Sequence, residues 1–135
     1  MEMIARVISK GKARGEVLLS RDPISFLGGV DPKTGIVQEK GHVLEGKSVA
    51  GKVLVFPRGK GSTVGSYVIL AMKKNRVAPA AIVNLEAETI IAVGAIISGI
   101  PMVDRPETNV MEVLESGMEA EIDAEAGKIL VEEQW

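Results

Sequence analysis

The chain has 135 residues, a formal net charge of −2 and only 3% aromatic residues, so we expect one domain, residues 1–135, with an aliphatic core. This charge balance gives no electrostatic basis for binding nucleic acid or an anionic membrane. Cysteine is absent, which excludes disulfides, thiol catalysis and cysteine-ligated metal within this chain. His42 is the single histidine, which argues against an internal zinc site or a Ser-His-Asp triad.

Two further features bear on location. The N-terminus carries Glu2 and lacks the apolar run of a signal peptide. The most apolar stretch, residues 90–100, is shorter than the ~20 residues that cross a bilayer. We therefore expect a cytoplasmic protein without a membrane segment.

The first elements in chain order have the composition of strands. Residues 3–8 and 16–20 flank a glycine-containing turn at 11–15, which predicts an opening hairpin. A short apolar segment then leads into Gly28 and Gly29, and adjacent glycines permit positive φ or close approach of a ligand. His42 follows in a connecting loop, where a surface position is the simplest expectation.

The middle of the chain alternates strands and helices. Residues 52–56 are almost wholly apolar, which is typical of a strand covered on both faces. A helix over 67–74 and a second strand over 79–84 follow, and this order predicts a parallel pair with a right-handed crossover. A buried helix over 88–98 and a strand-like segment over 100–103 extend the same pattern.

The C-terminal part completes an α/β fold. Asp104 and Arg105 are expected to form a solvated strand end, and residues 110–114 a short helical turn. A closing hairpin is predicted over 118–131, and Trp135 is expected to pack on the surface or to be poorly ordered. The pattern as a whole predicts a β-rich shell around a β-α-β-α-β centre.

The stretch after the strand over 52–56 is rich in glycine, cations and hydroxyl groups. It differs from the phosphate loop of nucleotide-binding proteins because Gly61 separates Lys60 from Ser62. It also differs from the Gly-x-Ser-x-Gly elbow of hydrolases, because the next glycine, Gly65, comes three residues after Ser62. Neither of these two families is therefore indicated.

The stretch nevertheless has the chemistry of an anion site. A helix N-terminus points backbone amides at negative charge, Gly61 lets the backbone approach a ligand, and Arg58 and Lys60 add positive charge. Ser62 can then be stabilised as an alkoxide and act as a general base. The structural alternative is that Ser62 or Thr63 caps the helix and the two cations are solvated.

Five segments together resemble the small subunit of the aconitase X family. The resemblance covers nearly the whole chain, in order and with consistent spacing. The segments are Ser25–Gly35, His42–Gly46, Gly51–Pro57, Gly61–Thr63 and Ala78–Val83.

The resemblance implies a swivelling β/β/α domain that pairs with a large subunit carrying a 4Fe-4S cluster, so that this chain holds no cofactor or metal itself. The implied hydro-lyase reaction converts (R)-mevalonate 5-phosphate to trans-anhydromevalonate 5-phosphate in the archaeal mevalonate pathway to isoprenoids. Ser62 matches the serine that abstracts a proton in this family, while the cluster's open iron site takes the hydroxyl.

The substrate implied is a small phosphorylated hydroxy acid, bound on a wall that faces the partner's cleft. Some relatives dehydrate hydroxyproline derivatives, so a small subunit of that type is one alternative. A non-catalytic swivel module that binds a phosphate ligand or a partner protein is another. The residues expected to bind substrate beside Ser62 are Arg58, Lys60, Gly61, Thr63, Gly28, Gly29 and His42.

Overall fold

The protein is described by a computed structural model over residues 1–132, so Trp135 lies outside the described residues. These residues form eight strands and three helices. The elements are β1 (Glu2–Ile4), β2 (Arg6–Ser9), β3 (Lys12–Leu19), β4 (Val53–Phe56), α1 (Gly65–Lys74), β5 (Ala81–Asn84), α2 (Thr89–Ser98), β6 (Met102–Asp104), α3 (Val110–Val113), β7 (Glu119–Asp123) and β8 (Lys128–Val131).

The eight strands form a sheet in the order β1-β8-β7-β3-β4-β5-β6-β2. β1 and β2 lie at opposite ends of this order, although only Ala5 separates them in sequence. Two peptide units reach at most ~7 Å, so the end of β1 lies next to the start of β2. The sheet therefore folds over on itself, so that its antiparallel strands β1, β8 and β7 form one layer and its parallel strands another.

The opening hairpin expected from the first twenty residues is wrong. β2 pairs antiparallel with β6, while β3 pairs with β4 and β7. β3 continues through the expected turn, where Gly15 pairs with Ala120. A side chain at Gly15 would collide with the carbonyl of Gly51, so this glycine serves close packing between strands and not a turn.

The parallel centre is confirmed. β4 pairs in parallel with β5, and β5 with β6, with α1 and α2 as the two connections. All four residues of β4 are buried: Val53 and Val55 face a core shared with the antiparallel strands, and Leu54 and Phe56 pack in the second core beneath the helices. These layers give the expected β/β/α arrangement, and the apolar run exists because both faces of the strand are covered.

The two central helices are confirmed, but α2 is not buried all round as expected. Ile91, Gly94, Ala95 and Ser98 face the core, and the opposite face is open to solvent. Within residues 1–132, no helix has the length and apolarity needed to cross a membrane. The cytoplasmic location stays a prediction.

An ion pair between a buried carboxylate and a half-exposed guanidinium holds the end of β6. The Asp104 carboxylate is fully buried and accepts hydrogen bonds from Arg6 Nε at 2.8 Å, Arg6 Nη2 at 2.7 Å and the Ala87 amide at 2.7 Å. The expected solvated strand end is thus wrong for Asp104, because its carboxylate ties together β2 and the loop after β5. Arg105 is exposed and its hydrogen bonds lower the pKa of Glu86.

We expect Asp104→Ala to lower the free energy of unfolding by about 2 kcal/mol, because the Ala87 amide and the Arg6 guanidinium lose their buried acceptor. Chemical denaturation measures this loss. Glu86→Ala is the matched control, since Glu86 and Arg105 keep 58% and 56% of their side chains exposed and such pairs contribute little. Equal losses in the two variants would contradict the role given to Asp104.

Candidate active site

The predicted site lies at the carboxyl edge of the parallel strands, where open α/β sheets bind ligands. The turn from Pro57 to Val64 leaves β4 there and leads into α1. Its base is fixed to the end of β5, because the Pro57 carbonyl accepts from the Leu85 amide at 3.0 Å. The buried side chain of Asn84 donates to the Phe56 carbonyl at 3.1 Å.

A second segment lies directly along this turn. The Ile24 amide donates to the Arg58 carbonyl at 3.2 Å, and the Lys60 amide donates to the Ile24 carbonyl at 3.0 Å. This pairing places Ser25 against Gly61, where an added Cβ would overlap Ser25 Oγ. Gly61 also has φ +89, so this position requires glycine for conformation and for packing.

Ser62 is exposed at the tip of the turn, two residues before the N-cap of α1. The helix begins at Gly65, and its N-cap, Val64, has no side-chain hydrogen bond. The expected Ser62 position in the helix N-terminus, and the alternative of a Ser62 or Thr63 cap, are therefore both wrong. Ser62 Oγ instead accepts from the Val64 amide at 3.2 Å within a local turn that precedes the helix.

Backbone amides around Ser62 are available to a ligand. Among residues 1–132, the amides of Gly61, Ser62 and Thr63 have no protein acceptor. These three successive donors lie ahead of α1, whose dipole places partial positive charge at the same end. The arrangement can therefore bind an anion or stabilise negative charge on the serine oxygen.

The two predicted cations differ in their surroundings. Lys60 Nζ forms a salt bridge with Glu39 Oε2 at 3.2 Å. Arg58 is exposed, and within the described part of the chain no carboxylate lies within salt-bridge distance of it. Arg58 is thus the cation whose charge is not compensated by a neighbouring acid.

Glu39 joins two predicted parts of the site that are distant in sequence. Its Oε1 lies 3.4 Å from where a Cβ on Gly29 would be, and its other oxygen binds Lys60. Gly28 is exposed beside it, and its carbonyl accepts from Gln38 Nε2 at 3.3 Å. Sequence reasoning missed Glu39 and the role of Ser25, because a single acid or hydroxyl in a loop has no periodicity that marks it.

His42 is buried, so the surface position expected from the sequence is wrong. Its Nδ1 accepts from the Leu44 amide at 3.0 Å, and its Nε2 lies 3.1 Å from the Pro23 carbonyl. This pairing requires the neutral tautomer with hydrogen on Nε2. The ring therefore fastens its loop to the residue before Ile24, and substrate binding by His42 stays a prediction.

Known proteins resemble this chain along nearly its whole length. A family profile described as aconitase X swivel domain matches residues 2–131. The phosphomevalonate dehydratase small subunits of Methanothermobacter thermautotrophicus and Methanosarcina mazei are 62% and 63% identical to it, covering 96% and 92% of this chain and 98% and 86% of the relatives. The crystal structure of Thermococcus kodakaraensis aconitase X in its holo-form matches with a TM-score of 0.94 at 57% identity, covering 98% of this chain and 99% of that chain.

We expect Gly61→Ala to destabilise the chain more than Gly46→Ala and to lower turnover of the assembled enzyme. Both glycines have similar positive φ values, +89 and +83, so both variants share a backbone cost of about 1 kcal/mol. Only Gly61 has a side chain, Ser25, in the space of the new methyl group, while Gly46 has open space. Denaturation curves of both variants, and of Gly61→Ala combined with Ser25→Gly, measure the difference.

Partial recovery in the double variant would show that contact with Ser25 causes the extra loss. Equal stability of the two single variants would contradict the close packing of these segments.

Proposed function

This chain belongs to the aconitase X swivel domain family, and from that membership we propose that it is the small subunit of a phosphomevalonate dehydratase. The family and the swivel fold expected from the sequence are confirmed. The reaction is a dehydration of (R)-mevalonate 5-phosphate, in which a base removes a proton beside the carboxylate and the hydroxyl departs from the next carbon. The product is trans-anhydromevalonate 5-phosphate.

One observation in this chain supports the proposal most directly. The Ser62 hydroxyl lies among three amides without a protein acceptor, ahead of α1 and four residues after the uncompensated Arg58. The substrate has a phosphate and a carboxylate, and backbone amides with a guanidinium are suitable donors for such groups. The same donors lower the cost of a serine alkoxide.

Ser62 is assigned the role of general base. A serine alkoxide forms readily only where fixed donors replace water. The Val64 amide already donates to Ser62 Oγ at 3.2 Å, so one donor is in place before substrate binds. Because Ser62 is exposed in the free chain, the large subunit has to exclude water from it.

The 4Fe-4S cluster is assigned to the large subunit. The chain has no cysteine to ligate a cluster, and residues 1–132 contain no group of three His, Cys, Asp or Glu side chains that could hold a metal ion. The residues present therefore do not fit the cluster. The part of this chain in the reaction is confined to the serine base and to contacts with the anionic substrate.

We expect Ser62→Ala to lower turnover of the assembled enzyme by ~10²–10⁴-fold, which is the usual contribution of a positioned base. The loss of one exposed hydrogen bond to the Val64 amide should cost the fold at most ~1 kcal/mol. Product formation by mass spectrometry, together with the melting temperature and complex formation of the variant, measures both effects.

Thr63→Ala is the matched control for Ser62→Ala, because Thr63 is the adjacent exposed hydroxyl and its change should be much milder. A lower melting temperature with near-normal turnover in Ser62→Ala would indicate a structural serine and refute the base.

We also expect the isolated chain to have no dehydratase activity and to gain it when the large subunit is added. The reason is that this chain supplies a base but no group that assists the departure of the hydroxyl. Turnover measured at increasing ratios of large subunit to this chain should rise and saturate. Turnover by the chain alone would disprove the division of roles.

A further inference from the structure

An exposed apolar surface crosses α1 and α2 beside the candidate active site. Five large apolar side chains form this helix-pair face. They are Val64, Tyr67, Val93, Ile96 and Ile97, with 48%, 66%, 41%, 57% and 45% of their surface exposed.

The shape of the helix-pair face follows from a close helix crossing. A Cβ on Gly94 would meet Ile69 Cδ1 at 2.6 Å and Ser66 Cα at 3.3 Å, so only glycine permits this approach of α2 to α1. A groove of ≈ 310 Å³ lies between the first turns of the two helices. It is lined by Thr63, Val64, Ser66, Tyr67, Thr89, Ile90 and Val93.

The helix-pair face also lacks charge. Residues 61–72 and 89–103 contain no Asp, Glu, Lys or Arg, although 25% of the chain is charged. A helix whose outer face meets water ordinarily carries charged and polar residues there. The spacing of Val93, Ile96 and Ile97 places apolar residues on that outer face of α2 instead, as expected for a surface that is covered.

The area of the helix-pair face matches the apolar centre of a subunit interface. Five large side chains that are about half exposed present on the order of 400 Å². A standard interface buries about 800 Å² on each partner, with an apolar core inside a polar rim. The helix-pair face supplies such a core, and the adjacent turn with Arg58 and Lys60 supplies polar groups for one side of the rim.

The position of Val64 identifies which partner fits. Val64 belongs to the helix-pair face, and its amide donates to Ser62 Oγ at 3.2 Å, so a body seated on Val64 also covers the serine. A second copy of this chain would cover Ser62 without adding any group that completes the dehydration. The large subunit is the partner that Ser62 has to face in the proposed reaction.

We propose that the helix-pair face is the docking surface for the large subunit, an inference that rests on the proposed function. Docking there buries the apolar side chains and closes the site over Ser62 in one event. The partner surface is apolar and uncharged opposite α2, and it carries substrate-facing groups opposite the turn.

The test uses Val93→Lys and Ile97→Lys in the full chain, with Ile36→Lys as the matched control. Ile36 is 40% exposed, which is comparable to Val93 and Ile97. It lies outside the helix-pair face, because its neighbour Gly35 packs against Val77 just beyond the C-terminal end of α1. Calorimetric titration with the large subunit measures Kd, and circular dichroism measures the melting temperature of each free variant. We expect a Kd at least tenfold higher for each face variant, a less than twofold change for Ile36→Lys, and near-normal kcat at saturating large subunit.

Three results would overturn the inference. If the face variants bind the large subunit with the wild-type Kd and the wild-type complex is active, the docking surface is refuted and the proposed function is not. A free wild-type chain that dimerises through this face, with variants that become monomeric and still bind the large subunit normally, assigns the face to self-association. A wild-type chain that binds no large subunit refutes the proposed function, and the docking surface with it.

Discussion

The position of Ser62 depends on the contact between two backbones. Ile24 exchanges two hydrogen bonds with Arg58 and Lys60, and Ser25 packs onto Gly61. Neither contact involves substrate, yet together they set the path of the chain that presents the serine. His42 adds to the same restraint, since its ring binds the carbonyl of Pro23, the residue before Ile24. A site on a loop can be precise when the loop is tied to rigid elements in this way.

The polar groups of the site need an apolar base beneath them. β4 and β5 are buried on both faces, so the carboxyl edge of the sheet can expose amides and cations without weakening the core. The buried Asn84 side chain marks the boundary, because it supplies a donor to the Phe56 carbonyl where the ladder of the two strands ends. Stability therefore resides mostly in strands and helices, and the donors around Ser62 remain free for chemistry.

The local sequence pattern predicted those elements whose formation depends on local composition. The apolar run of β4 and the strand-helix-strand order around it were sufficient for the central sheet, and the glycine-rich turn marked the candidate site. Pairing between distant segments could not be predicted from local pattern. Residues 3–8 were expected to pair with 16–20, whereas they form β1 and β2 at opposite edges of the sheet. Glu39 and the burial of Asp104 were missed for the same reason, since each depends on partners far away in sequence.

The proposed base, Ser62, is exposed in the free chain, where the surrounding donors cannot act at full strength. Ser62 is exposed to water, which screens the surrounding donors, and the charge of Lys60 is compensated by Glu39. Burial beneath a partner strengthens every donor at the same time, because the local dielectric constant falls. The apolar side chains next to the serine supply the free energy for that burial. In the proposed reaction, assembly and activation of the base are thus one physical event, and this accounts for an exposed serine beside an uncharged helix surface.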